Sequence, residues 1–183
     1  AVATSADADA VIESVSTLKE QANAAFAAGQ WREACEAYAS GLSDLVAASA
    51  GAAATEMEMS LRLNLAACAL RQGEPAEALK HADSALSLSP SAKAHYRRAQ
   101  ALQALGRLAE AEEATATVLE LEPASKDAMR LRSQIQSAVA TSADADAVIE
   151  SVSTLKEQAN AAFAAGQWRE ACEAYASGLS DLV

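Results

Sequence analysis

Residues 1–46, AVATSADADAVIESVSTLKEQANAAFAAGQWREACEAYASGLSDLV, recur letter for letter as residues 138–183 of this 183-residue chain. Local propensity acts on both stretches alike, so the fold has to accommodate one set of elements twice. The offset of 137 residues divides the chain into one full unit, Ala1–Ser137, and the first third of a second. Inherited duplications drift, because exposed substitutions mostly change stability by less than about 0.5 kcal/mol. Identity at every position, surface included, reads as an engineered joining of a unit to a truncated copy of itself. Val46, where the copied segment stops, falls where a helical hairpin would close. Function is to be sought in the 137-residue unit, and the repeated segment needs its own account.

Alanine is the commonest residue, aromatics make up 4% of the chain, and there are three prolines. Alanine has the best helix propensity and little use in a sheet, so the chain is expected to be all-α, with helices packed closely over small side chains. The net charge is −11, with 14 basic and 25 acidic residues. That surplus of carboxylates argues against nucleic acid or an anionic membrane as partner. No apolar run approaches the ~18 residues that a membrane span requires, and the N-terminus lacks the charged and apolar regions of a secretory signal. Cys35, its copy Cys172, and Cys68 read as small residues on apolar helix faces in a reducing, cytoplasmic setting. Two histidines, His81 and His95, do not supply a metal site. No nucleophile–base arrangement, phosphate loop or carboxylate pair stands out, so neither an enzyme nor a cofactor is expected.

Inside the unit a degenerate repeat emerges. Gly29, Gly73 and Gly106 each separate two alanine-rich amphipathic stretches, with Ala34, Ala78 and Ala111 five residues further on. Pro90 and Pro123 close the second and third repeats, and the spacing is 33 residues from Gly73 to Gly106. From Gly29 to Gly73 it is 44, which places an insertion around Ala47–Thr55. A period near 34 built as helix, turn, helix is the mark of a helical-hairpin solenoid. The expected helices run over about 12–28, 31–48, 56–72, 75–88, 91–105 and 108–121. After Pro123, residues 124–137 read as a capping helix with Met129, Leu131 and Ile135 on its apolar side. From Ala124 to Ala165 there is neither Gly nor Pro, which predicts that this cap runs on as one helix into the copied segment, despite the cap-prone TSADADA at 141–147. Phe26, Trp31, Tyr38 and Tyr96 are expected at helix crossings, Tyr96 with a possible ligand contact, and Glu110–Glu113 on a solvated outer face.

The first helix of each hairpin carries polar residues on one face. Lys19 and Asn23 stand four apart, as do Lys93 and Arg97, and Asn64 interrupts the apolar string LRLNLAACAL. No Asp or Glu occurs between Asp83 and Glu110, so the helix holding Lys93 and Arg97 is a positive segment in an acidic chain. Taken singly, each of these residues could be a solvated side chain or a structural amide. Lys19 could pair with Glu20 or Glu36.

Together they resemble a known family. LKEQANAAF (18–26), RLNLAAC (62–68) and SAKAHYRRAQAL (91–102) are similar to the tetratricopeptide co-chaperone domains that bind the C-terminal Glu-Glu-Val-Asp tails of the 70- and 90-kDa heat-shock chaperones. The resemblance implies three hairpins over about 15–48, 59–91 and 92–124 with a cap at 124–137, wound as a right-handed superhelix whose inner face is lined by the first helices. It also implies a dicarboxylate clamp of Lys19, Asn23, Asn64, Lys93 and Arg97. Two lysines, an arginine and two amides suit the paired carboxylates of a C-terminal aspartate, because such charge-assisted hydrogen bonds are about twice as strong as neutral ones. Residues 138–183 are then expected to form an extra N-terminal hairpin with a half-clamp, Lys156 and Asn160. Its uncovered apolar face gives a second reading, a repeat scaffold that self-associates by exchanging hairpins between chains.

Overall fold

A computed structural model describes residues 5–48 and 51–180. Among them lie eight helices: α1 (Ser5–Ala27), α2 (Trp31–Ala48), α3 (Gly51–Gln72), α4 (Pro75–Leu88), α5 (Ala92–Ala104), α6 (Leu108–Leu121), α7 (Lys126–Ala164) and α8 (Trp168–Ser180). They divide into two compact units, one ending at Ile135 and the other beginning at Gln136.

In the first unit α1–α2, α3–α4 and α5–α6 are antiparallel hairpins stacked in order, and the start of α7 caps them. Each turn is built alike. Gly29, Gly73 and Gly106 hold φ of 79°, 77° and 74°, the left-handed region in which a Cβ is strained. The next residue's N–H then reaches back five residues: Gln30 to the Ala25 carbonyl, Glu74 to Ala69 and Arg107 to Leu102, at 2.9, 2.8 and 3.0 Å. At the start of α5 the Ser91 side chain accepts from the Ala94 N–H, fixing where that helix begins. Pro75 sits in the first turn of α4, where its missing N–H costs nothing.

The core is a chain of small clusters. Val15, Ala22, Ala34, Tyr38 and Leu45 of the first hairpin pack against Ala54, Leu61, Leu65 and Cys68 of α3. Alanines dominate the next junction, Ala66, Ala69, Ala78, Ala82 and Ala101, where α3, α4 and α5 meet. Ala99, Leu102, Ala111 and Ala114 are covered by Leu131 and Ile135 of α7.

Three expectations change. The second hairpin's first helix starts before the expected 56: α3 begins at Gly51 and takes in Ala52–Thr55 of the insertion, because alanine-rich sequence propagates a helix readily. Residues 49–50 lie outside the described chain. Met129 does not join the capping face; it is 50% exposed, while Ala128, Leu131 and Ile135 fill the buried i, i+3, i+7 stripe. Cys172 is exposed, unlike buried Cys68 and half-buried Cys35, because the copied hairpin has no equivalent of α3 within its own residues.

The second unit consists of the later turns of α7 and α8. The run free of Gly and Pro does form one helix, Lys126–Ala164, through TSADADA. Gly166 makes the same turn as Gly29, with φ 76° and the Gln167 N–H on the Ala162 carbonyl at 2.9 Å.

Candidate functional site

Helices α1, α3 and α5 are in contact in succession, so a face of each contributes to one surface. The structure puts the five predicted residues on those three helices: Lys19 and Asn23 on α1, Asn64 on α3, Lys93 and Arg97 on α5. Lys19, Asn64 and Arg97 are half-buried, and Asn23 and Lys93 are exposed.

An amide pair links the first two helices. The Asn64 Nδ2 donates to the Asn23 Oδ1 at 3.4 Å, and the Tyr38 hydroxyl donates to the same oxygen at 2.5 Å. With its carbonyl oxygen held twice, the Asn23 amide is oriented, and its NH2 is directed away from both donors. Burial pushes the Tyr38 hydroxyl's pKa up, the nearby Cys68 thiol adds to this, and the Asn64 contact opposes it; the phenol stays protonated and remains a donor at neutral pH. Sequence reasoning placed Tyr38 in the core, where it is, at 2% exposure, but missed that its hydroxyl sets an amide of the site. Its position fifteen residues after Asn23, across one turn of the hairpin, was the available signal.

Cations converge on the other side. Partial desolvation of the Lys93 ammonium, whose residue is otherwise exposed, holds its pKa below the ordinary value, and the charges of Arg97 and Lys19 lower it further. Lys93 therefore lies within electrostatic reach of both, although they come from two different helices. Among the described residues the ion pairs engage none of Lys19, Lys93 and Arg97, and Glu36 pairs with Arg32 instead of Lys19. Arg97 is the most enclosed of the three. Its Nη1 donates to the Gln100 Oε1 at 2.7 Å, and its guanidinium lies 5.9 Å from the centre of the Tyr96 ring. Its Nε is buried with no hydrogen-bond partner. An orphaned donor costs about 1–3 kcal/mol, and it is retained here where like charges gather.

Beside Arg97 opens a cavity of about 390 Å³, lined by Phe26, Arg71, Tyr96, Gln100 and, from the start of α7, Asp127 and Arg130 among others. Phe26 and Tyr96 are thus wall residues of a cavity as well as packing residues. Arg71 and Arg130 had no part in the sequence reading, since the repeat pattern says nothing about which side chains meet at the cap.

The second unit carries Lys156 and Asn160, both exposed. Tyr175 donates to the Asn160 Oδ1 at 2.5 Å, as Tyr38 does to Asn23. Among the described contacts of that unit there is no counterpart of Asn64, Lys93 or Arg97, so the two residues stand as half of the arrangement.

Residues 92–125 and 59–84 each match a family model described as tetratricopeptide repeat. The first tetratricopeptide domain of human RPAP3 is 30% identical over 71% of this chain and 95% of its own, with a TM-score of 0.62. The chain belongs to the tetratricopeptide repeat family. The second such domain of human RPAP3, in complex with the HSP70 peptide SGPTIEEVD, is 32% identical, covering 65% of this chain and 92% of its own at a TM-score of 0.56. The first repeat domain of Spaghetti (RPAP3), bound to the HSP90 peptide SRMEEVD, is 31% identical over 69% and 93%, at 0.59. No curated protein matches the chain. The all-helical architecture of the first unit, three stacked hairpins and a cap, is that of the tetratricopeptide superhelix.

Proposed function

We propose that this tetratricopeptide domain is a peptide-binding co-chaperone module that docks the acidic C-terminal tail of a 70- or 90-kDa heat-shock chaperone. The observation that carries the reading is a cluster of three cations without carboxylate partners, Lys19, Lys93 and Arg97, beside two amides, Asn23 and Asn64. A C-terminal aspartate brings two carboxylates a few ångströms apart. Lysines on α1 and α5 supply charge, while the Asn23 and Asn64 amides supply directed donors without adding repulsion. The cavity beyond Arg97, with Arg71 and Arg130 on its wall, gives acidic side chains upstream of the terminus a cationic lining. Similarity to domains solved with peptides ending in EEVD adds weight.

Titration calorimetry with a peptide ending in Glu-Glu-Val-Asp tests the reading. A dissociation constant of roughly micromolar order, about 8 kcal/mol, is expected. Binding should weaken with salt, because ion pairs at a groove surface are screened over about 10 Å at 0.1 M. Lys19→Ala or Arg97→Ala should each cost about 1.5–3 kcal/mol, the range for hydrogen bonds to charged groups. Equal binding of the C-terminally amidated peptide would overturn the clamp.

A further inference from the structure

The chain presents one hairpin surface in two states, and the difference between them identifies what the open one lacks. In the first copy the surface is covered by α3. A Cβ at Gly41 would meet Leu61 Cδ1 at 3.8 Å, and Leu61, Leu65 and Cys68 share a cluster with Val15 and Tyr38. Asn64 donates to Asn23, the Arg71 guanidinium lies 5.6 Å from the Trp31 ring centre, and the Gln72 Nε2 donates to the Trp31 carbonyl at 3.0 Å. In the second copy the hairpin's internal packing is intact. Ala159 and Ala171 are 0% and 2% exposed, and Phe163 meets Trp168 edge-on at 4.7 Å, as Phe26 meets Trp31. A Cβ at Gly178 would have atoms of Leu155 and Val152, at 3.7–4.0 Å, as its three nearest neighbours, with none in the place that Leu61 takes beside Gly41. Phe163, Trp168 and Tyr175 are left 56%, 60% and 42% exposed.

We propose that this face of the 142–180 hairpin is a docking site for a helix of α3's chemistry supplied from outside residues 1–183. The occupant is read from the covered copy. It carries apolar side chains at the spacing of Leu61, Leu65 and Cys68, an amide at the position of Asn64, and Arg and Gln where Arg71 and Gln72 fall. The chain's own α3 does not serve, because residues 5–48 already hold it with the same sequence. Exchange between copies does not serve either: each α3 taken by a second hairpin releases a first hairpin with the identical face, so no apolar area is gained against the entropy of association. Two second-copy hairpins meeting face to face bring together segments that each carry 2 basic and 7 acidic residues in 138–183, and so repel.

The chain has two tryptophans, Trp31 and Trp168, which makes the test direct. In the full chain bearing Trp31→Phe, Trp168 is the sole indole and reports on the open face. A peptide of residues 51–72, held helical by a lactam bridge between solvent-facing positions, is titrated in. Saturable blue shift of the emission and loss of acrylamide quenching are expected. The same peptide with Leu61→Glu and Leu65→Glu should have no effect, and the reciprocal Trp168→Phe chain should show no change at Trp31. Unchanged quenching of Trp168 by a peptide shown to be helical overturns the proposal. So does protection of Trp168 that rises with protein concentration alone, since a second copy would then be the occupant.

Discussion

Asn64 separates a ligand-directed amide from a structural one. Its contact with Asn23 is long at 3.4 Å, and the Asn23 oxygen keeps the shorter bond from Tyr38 when Asn64 is removed. No buried partner is orphaned, so Asn64→Ala should shift the melting temperature little while abolishing most peptide binding. A large stability loss with normal affinity, of the 1–3 kcal/mol that an unsatisfied partner costs, would mark the amide as structural. The cysteines offer a second residue-scale test. Burial, and then the neighbouring Cys35, push the Cys68 thiol up to about 12, and burial followed by Glu74 raises Cys35. The thiolate is the reactive form, so alkylation by iodoacetamide near neutral pH should label exposed Cys172 first, Cys35 later and Cys68 last. Cys35 and Cys172 share their flanking sequence, so any difference in their rates belongs to tertiary cover alone.

At the scale of the element, α5 gathers positive charge at some expense to itself. Its first turn has no acidic residue and instead holds Lys93, two positions after the Ser91 cap, against the positive end of the helix dipole. Arg97 and Lys19 add like charge, and the Lys93 pKa is lowered accordingly. Replacing Lys93 by Glu should therefore raise stability by about 0.3–1 kcal/mol in a thermal melt while removing peptide binding. A fall in stability on Lys93→Glu would mean that Lys93 has a structural role. The turns were legible as glycines dividing paired amphipathic stretches, because only a left-handed residue lets the next N–H reach back to the helix it leaves. The start of α3 was not legible: a run of alanines is compatible with both a loop and a helix until the first hairpin packs on Ala54.

Across the whole molecule the two copies form an internal experiment on tertiary stabilisation. Residues 142–180 have the helices and turn of 5–43 but lack the cover of α3. Local opening should thus be easier there, because fewer apolar contacts hold the elements closed. Amide exchange followed by NMR, which resolves the two copies where identical proteolytic fragments would not, should show faster exchange in α8 than in α2. Equal protection would mean that α3 contributes little to the stability of the first hairpin. The same comparison bears on the docking proposal, since an α3-type helix should slow exchange in α8 and leave α2 unchanged.

Sequence alone determined everything in this protein that is local. The same letters give the same two helices, the same left-handed glycine, the same Tyr–Asn hydrogen bond and the same Phe–Trp pair in both places. Each of these needs only side chains within one hairpin. The pairs Lys19–Asn23 and Lys93–Arg97 were legible because helical spacing puts residues four apart on one face, whatever lies opposite, and Asn64 because an amide interrupts an apolar string. Their convergence was not, nor was the role of Tyr38, nor the cavity walls that Arg71 and Arg130 bring from α3 and α7. Burial was decided by tertiary structure too: Tyr38 is 2% exposed and its copy Tyr175 is 42%. The physical reason is that hydrophobic burial belongs to a pair of surfaces, and the partner of the second hairpin is not written in its own 46 residues.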